Sequence, residues 1–110
     1  MPSATLASYS TTATLAAGVA TAIDLPVNGA ANWTIVVRNS GATNAVTAAT
    51  IAVSVDGTIF SAASSITTGI PLAAVTSLTE IVGSNEPCLT ARLTLTSTSG
   101  TTVSVGMVAL

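Results

Sequence analysis

The chain has 110 residues, 49 % hydrophobic and only 5 % charged, with a formal net charge of −2, whereas a typical globular chain carries about 25 % charged residues. That length fits one domain, which can bury a core without disulfide or metal staples. Two arginines with no Lys or His exclude binding to a run of nucleic-acid phosphates, and no apolar window approaches the roughly 18 residues of a membrane-spanning helix.

The chain begins with an Ala- and Thr-rich stretch, residues 5–17, whose β-branched threonines and missing cap argue against a helix. Gly18 then precedes the first convincing strand. Residues 1–18 are therefore expected to form an N-terminal arm ahead of a β-domain spanning residues 19–110. Val19, Thr21, Ile23 and Leu25 alternate with Ala20, Ala22 and Asp24, the period of a half-buried strand. Trp33, Ile35 and Val37 repeat that pattern against Thr34, Val36 and Arg38, and Asn39-Ser40-Gly41 makes a turn. Ile51, Val53 and Val55 lead into Asp56-Gly57, a hairpin signal that puts Phe60 on a returning strand. Residues 66–72, broken by Gly69 and Pro71, and residues 75–82 are weaker candidates. The cleanest alternation is Leu89, Ala91, Leu93 and Leu95 against Thr90, Arg92, Thr94 and Thr96. After residues 97–100, Val103, Val105 and Met107 form the last strand. Seven to eight short strands with turns between them predict an all-β fold, an antiparallel β-sandwich of jelly-roll type.

Thr (20), Ala (20) and Ser (13) dominate the composition, so the polar surface is made of hydroxyls rather than ions. A soluble monomer ordinarily covers about 25–35 % of its surface with charged side chains and uses them to blunt its sheet edges. Residues 1–23 and 93–110 carry no charge at all. Such a surface suits a subunit packed against copies of itself or a scaffold, because Thr, Ser and Ala desolvate cheaply.

The residues Ser54-Val55-Asp56-Gly57-Thr58-Ile59-Phe60 resemble the S-x-D-G-x-x-[WF] hairpin of phage virion β-sandwich proteins and of discoidin-like modules. Pro87-Cys88-Leu89-Thr90-Ala91-Arg92-Leu93-Thr94-Leu95-Thr96, with Gly100 and Thr102-Val103-Ser104-Val105 after it, is similar to the closing strand pair of the same small phage structural proteins. The resemblance covers residues 50–110. It implies a bacteriophage virion protein, first of all a capsid decoration or cement subunit, made in the host cytoplasm. Its partners would be copies of itself in a small cyclic oligomer and the major capsid or another virion protein. A tail or fibre component, or a discoidin-like glycan- or host-binding module, is the alternative it leaves open.

Chemistry-bearing residues are scarce. Without His or Lys there is no ready acid–base or Schiff-base group. Glu80 and Glu86 flank Gly83-Ser84-Asn85, but a sugar cleft between them would want aromatics, and the chain has one Trp, one Tyr and one Phe. Asp56, Asn85 and Glu86 could ligate a cation, yet no Asp-x-Asp-x-Asp-Gly loop surrounds them. Cys88 lacks a Cys or His at ligand spacing and reads as a small core hydrophobe, in keeping with a reducing cytosol. Residues 1–10 show no basic n-region, so no secretory signal is expected. No catalytic residue, cofactor or metal is therefore expected. Arg38 and Arg92, on the polar sides of apolar strands, are expected to pair with Asp24, Asp56, Glu80 or Glu86, within the chain or across a contact. Tyr9 is expected to anchor the arm on a neighbouring subunit. Tyr9, Arg38 and Arg92 are thus the candidate assembly residues. Trp33 and Phe60 are expected in the core.

Overall fold

Apolar residues alternating with hydroxyl residues make every regular element among the described residues a strand. The computed structural model describes the backbone of residues 7–30, 32–82 and 88–109 and the side chains of residues 8–30, 32–76 and 88–109. The strands are β1 (Ala7–Leu15), β2 (Thr21–Pro26), β3 (Trp33–Asn39), β4 (Ala48–Ser54), β5 (Ser64–Ser65), β6 (Thr76–Val82), β7 (Thr90–Thr96) and β8 (Thr101–Ala109). They form two four-stranded sheets, ordered β1-β8-β3-β6 and β2-β7-β4-β5, with antiparallel pairing throughout. The chain changes sheet at every connection except β4 to β5, which is the wiring of an eight-stranded jelly roll. The fold is the all-β sandwich that the alternation predicts.

The β7–β8 connection crosses between the sheets and sends one strand to the interior of each, which explains why the alternation of this strand pair is the clearest. Ala91, Leu93 and Leu95 from β7 meet Val103, Val105 and Met107 from β8 in the core, each no more than 3 % exposed. Each buried Leu or Val contributes roughly 1.5–3 kcal/mol against its exposed state. Register holds this arrangement: Ile23 lies opposite Leu93 and Leu25 opposite Ala91, so a one-residue slip would turn the apolar set to solvent. Between β2 and β3, Asn28 (φ 57°) and Gly29 (φ 79°) both take the left-handed conformation. Ala30 N–H donates to the Val27 carbonyl across them at 3.2 Å, closing a tight two-residue turn on the way from one sheet to the other. Trp33 is buried as expected, though its indole N–H finds no acceptor among the described residues.

Three expectations need correction. The segment read as an arm contains β1, paired with β8 along its full length from Ala7 to Leu15. Its inward positions are mostly small (Thr11, Ala13), so the strand hardly registers as apolar; only Leu15, 1 % exposed, is a large core residue. Phe60 does not lie on the returning strand, β5, which starts only at Ser64, but makes a single bridge to Ser54. The reason is local. The Asp56 carboxylate Oδ1 accepts from Ser54 Oγ (3.0 Å), Thr58 N–H (2.8 Å) and Ile59 N–H (2.9 Å), and these bonds close a loop in place of a ladder. Residues 66–72 likewise form no strand; β5 is two residues long, and Leu72 pairs with Val46 in an isolated bridge.

Three polar residues are buried among the described ones, Asn39, Ser54 and Ser97, and Asn39 is the largest of them. Asn39 continues the inward series Trp33, Ile35, Val37 and is fully buried. Its amide donates to the carbonyls of Asn44 (2.8 Å) and Leu72 (3.0 Å) and accepts from Gly41 N–H (3.1 Å) and the Thr101 hydroxyl (2.8 Å). Beside it, Ser97 Oγ donates to the Ala45 carbonyl at 2.6 Å, and Asn44 donates to the Gly100 carbonyl at 2.8 Å. These bonds tie three loops together at one end of the sandwich. Gly41 is needed there, because a Cβ at that position would run into the Thr101 hydroxyl.

Candidate functional site

The inner faces are filled by the apolar core, and the exposed polar side chains lie on the outer faces, the edges and the loop ends. The outer face of the first sheet carries Ser8, Ser10, Thr12 and Thr14 from β1, Ser104, Gly106 and Val108 from β8, and Thr34, Val36 and Arg38 from β3. The pairing aligns them in rows: Ser10–Gly106–Val36 and Thr12–Ser104–Arg38. Gly106 has no side chain to raise in its row, and nothing lies within 4 Å of a Cβ built there. A shallow groove of about 540 Å³ results, bordered by Ser10, Thr12, Val36, Arg38 and Ser104. Val36 and Val108 are 40 % and 45 % exposed. Arg38 is the charged group of this face among the described side chains, and no carboxylate among them pairs with it. The side chain of Glu80, which the sequence offered as a partner, lies outside the described ones.

The outer face of the second sheet neutralises itself. Register places Arg92 opposite Asp24 on one side and Ala52 on the other. Arg92 Nε donates to Asp24 Oδ1 at 2.7 Å and Nη2 to Oδ2 at 3.1 Å, a two-pronged pair. The guanidinium also lies 3.8 Å over the Phe60 ring. Arg92 therefore holds the Asp24 carboxyl below the ordinary carboxylate range by hydrogen bond and charge, while Asp24 raises the Arg92 pKa. Asp56 is held low mainly by the Ile59 and Thr58 N–H groups. Phe60, expected in the core, instead stacks beneath Arg92 on the outside.

The three candidate assembly residues do not converge. Arg38 and Arg92 stand on opposite outer faces, and Tyr9 sits on the edge strand β1, 39 % exposed, beside a hollow formed with Ser8, Ser10, Met107 and Val108. Arg92 finds one of its expected intrachain partners, Asp24. Of the proposed cation ligands, Asn85 and Glu86 lie outside the described residues, and Asp56 spends one carboxylate oxygen on its own loop. Cys88 is buried.

Sequence reading missed the groove, the Asn39 cluster and an apolar loop end where Val55, Ile59 and Leu89 are 80 %, 74 % and 42 % exposed. Asn39 had a signal, a polar residue in the inward phase of an apolar strand. The groove had none, because it depends on which residue β8 sets between Ser10 and Val36.

No family model and no curated protein matches the chain. Among solved structures, it is similar to a protein described under the words "The Triple Jelly Roll Fold and Turret Assembly in an Archaeal Virus", with a TM-score of 0.51 and 16 % identity. The match covers 96 % of this chain and 29 % of that one, so this chain spans less than a third of its neighbour's length, about the share of one roll in three. At that identity the likeness is one of fold, and the fold it supports is the jelly roll.

Proposed function

We propose that the protein is a structural subunit of a virion, with a capsid decoration or cement role as its specific form. The observation that carries this reading is the outer face of the β1-β8-β3 sheet: hydroxyls, small residues and two exposed valines around the single charge of Arg38. Neutral, closely packable surface of that kind gains little from staying in water and loses little on contact. The jelly-roll likeness to a protein of an archaeal virus supports the same reading. Tyr9 and Arg38 would serve the contact, Tyr9 as an amphipathic anchor at the edge and Arg38 as an orienting charge. Arg92, already occupied by Asp24 and Phe60, would present a neutral surface. Partners would be copies of the chain and a major capsid or other virion protein, in a virion assembled from host-made subunits.

A glycan-binding module is less favoured. It would need aromatics gathered on one exposed surface, whereas Trp33 is in the core, Phe60 lies under Arg92 and Tyr9 is on β1.

The test is a density map of particles purified from cells that express the chain. Many symmetric copies seated on capsomers are expected. Copies confined to a tail or fibre, or no copies at all, would overturn the decoration role. Attachment should also hold from low salt to molar NaCl, since there are few charges to screen.

A further inference from the structure

We infer that β1 is a self-association edge: two copies pair their β1 strands antiparallel about a two-fold axis through Thr11, joining their first sheets into one continuous sheet. This deepens the proposed function, on whose self-association it rests, by naming the surface.

The inference begins from the sheet edges. Two sheets have four, and natural sheets protect theirs with charge, Pro, bulges or shortness. Strand β5 is two residues long. Strand β2 carries Asp24 and ends at Pro26. Strand β6 contains Glu80 in its sequence and is bulged where it pairs with β3, between Ile35 and Val37. Strand β1 has none of these devices. It runs nine residues, ASYSTTATL, without a charge, a proline or a glycine, and its pairing with β8 is unbroken from end to end. Its other side therefore offers a straight row of backbone donors and acceptors, the template for strand addition.

A second copy is the occupant because the strand is complementary to itself. Centring the pair on Thr11 sets Ser8 across from the second copy's Thr14 and Ser10 across from its Thr12, so the outer face becomes a ladder of hydroxyls. On the other face Tyr9 falls opposite the second copy's Ala13, a large residue against a small one. That covers the ring that the single chain leaves 39 % exposed. All opposed residues share parity, so inner faces continue into inner faces and backbone hydrogen bonds stay in phase. The two-fold contact closes on itself and leaves only protected edges outside, which favours a finite dimer over a fibre. A nine-residue strand is about 30 Å long, and a seam of that length covers on the order of 500 Å² per partner, the low end of specific interfaces. Micromolar dimerisation is the corresponding expectation.

The experiment is sedimentation velocity on the full chain from micromolar to millimolar concentration, in wild type and two double variants at positions exposed in the single chain. Ser10→Lys with Thr12→Lys places like charges directly opposite across the seam, and should weaken association at least tenfold. Ser10→Lys with Thr12→Glu places opposite charges there, and should keep association within about threefold of wild type. Because both variants alter the same positions in β1, a general loss of folding would strike both alike and show in their thermal melts. Three results overturn the inference: a wild type that stays monomeric to millimolar concentration, a dilysine variant that associates as wild type does, or two folded variants that dissociate equally. None of these touches the virion reading, which the particle map decides.

Discussion

Replacing Asn39 by Ala should destabilise the fold by ~3 kcal/mol, given that each intramolecular hydrogen bond is worth about 1 kcal/mol net. The side chain is fully buried and makes four such bonds, two as donor and two as acceptor. Their loss is partly offset. The Leu72 carbonyl keeps the Val46 N–H at 2.9 Å, and the Thr101 hydroxyl, half-buried, can turn toward water. The Gly41 N–H and the Asn44 carbonyl lose the partners that position their loop. In a domain whose total stability is about 5–15 kcal/mol, this change corresponds to a fall in melting temperature of about 12 °C. Thermal and urea unfolding followed by Trp33 fluorescence would measure it. Thr101→Ala, which removes one bond of the four, should cost about 1 kcal/mol. Asn39→Asp should cost more than Asn39→Ala, because a carboxylate would face two carbonyl oxygens that now receive N–H donors. An Asn39→Ala variant within about 0.5 kcal/mol of wild type would refute the idea that this amide holds the loops together.

On β7, Arg92→Ala should cost no more than about 1 kcal/mol, because its ion pair and ring contact are both solvent-exposed; Leu93→Ala, one residue on and facing inward, should cost about 2–5 kcal/mol. Equal melting shifts for these neighbours would contradict the assigned facing of the strand. Acid should weaken the fold through Asp24 and Asp56, whose pKa values lie below the ordinary carboxylate value of 3.8. The unfolded chain takes up these protons first, so their stabilisation is complete above that value and is lost as pH falls through the lower folded values. Melting temperatures recorded down that range should decline less for Asp24→Asn with Asp56→Asn than for wild type, and an unchanged decline would assign the acid sensitivity elsewhere.

The fold was legible because its strands are half-buried and alternate cleanly. Leu93 and Leu95 against Thr94 and Thr96 declare both a strand and its inward face. Where the inward residues are small, as at Thr11 and Ala13, the same physics leaves almost no trace, and β1 passed for an arm. Asp56-Gly57 does turn the chain back on itself, since β4 and β5 pair antiparallel across it, but side-chain bonds from Asp56 to the N–H groups of Thr58 and Ile59 widen the turn into a loop that takes in Phe60 and that no alternation reveals.

Sequence alone determined the near-absence of charge, the β class and most of the core, because composition and a two-residue period are properties of neighbours along the chain. Only the tertiary structure decided that Arg92 meets Asp24, separated from it by 68 positions, that Asn39 finds four partners, and that β1 lies at an edge. Those outcomes depend on which strands the jelly-roll wiring sets side by side. Cross-strand register is a relation between distant segments, and no local pattern carries it.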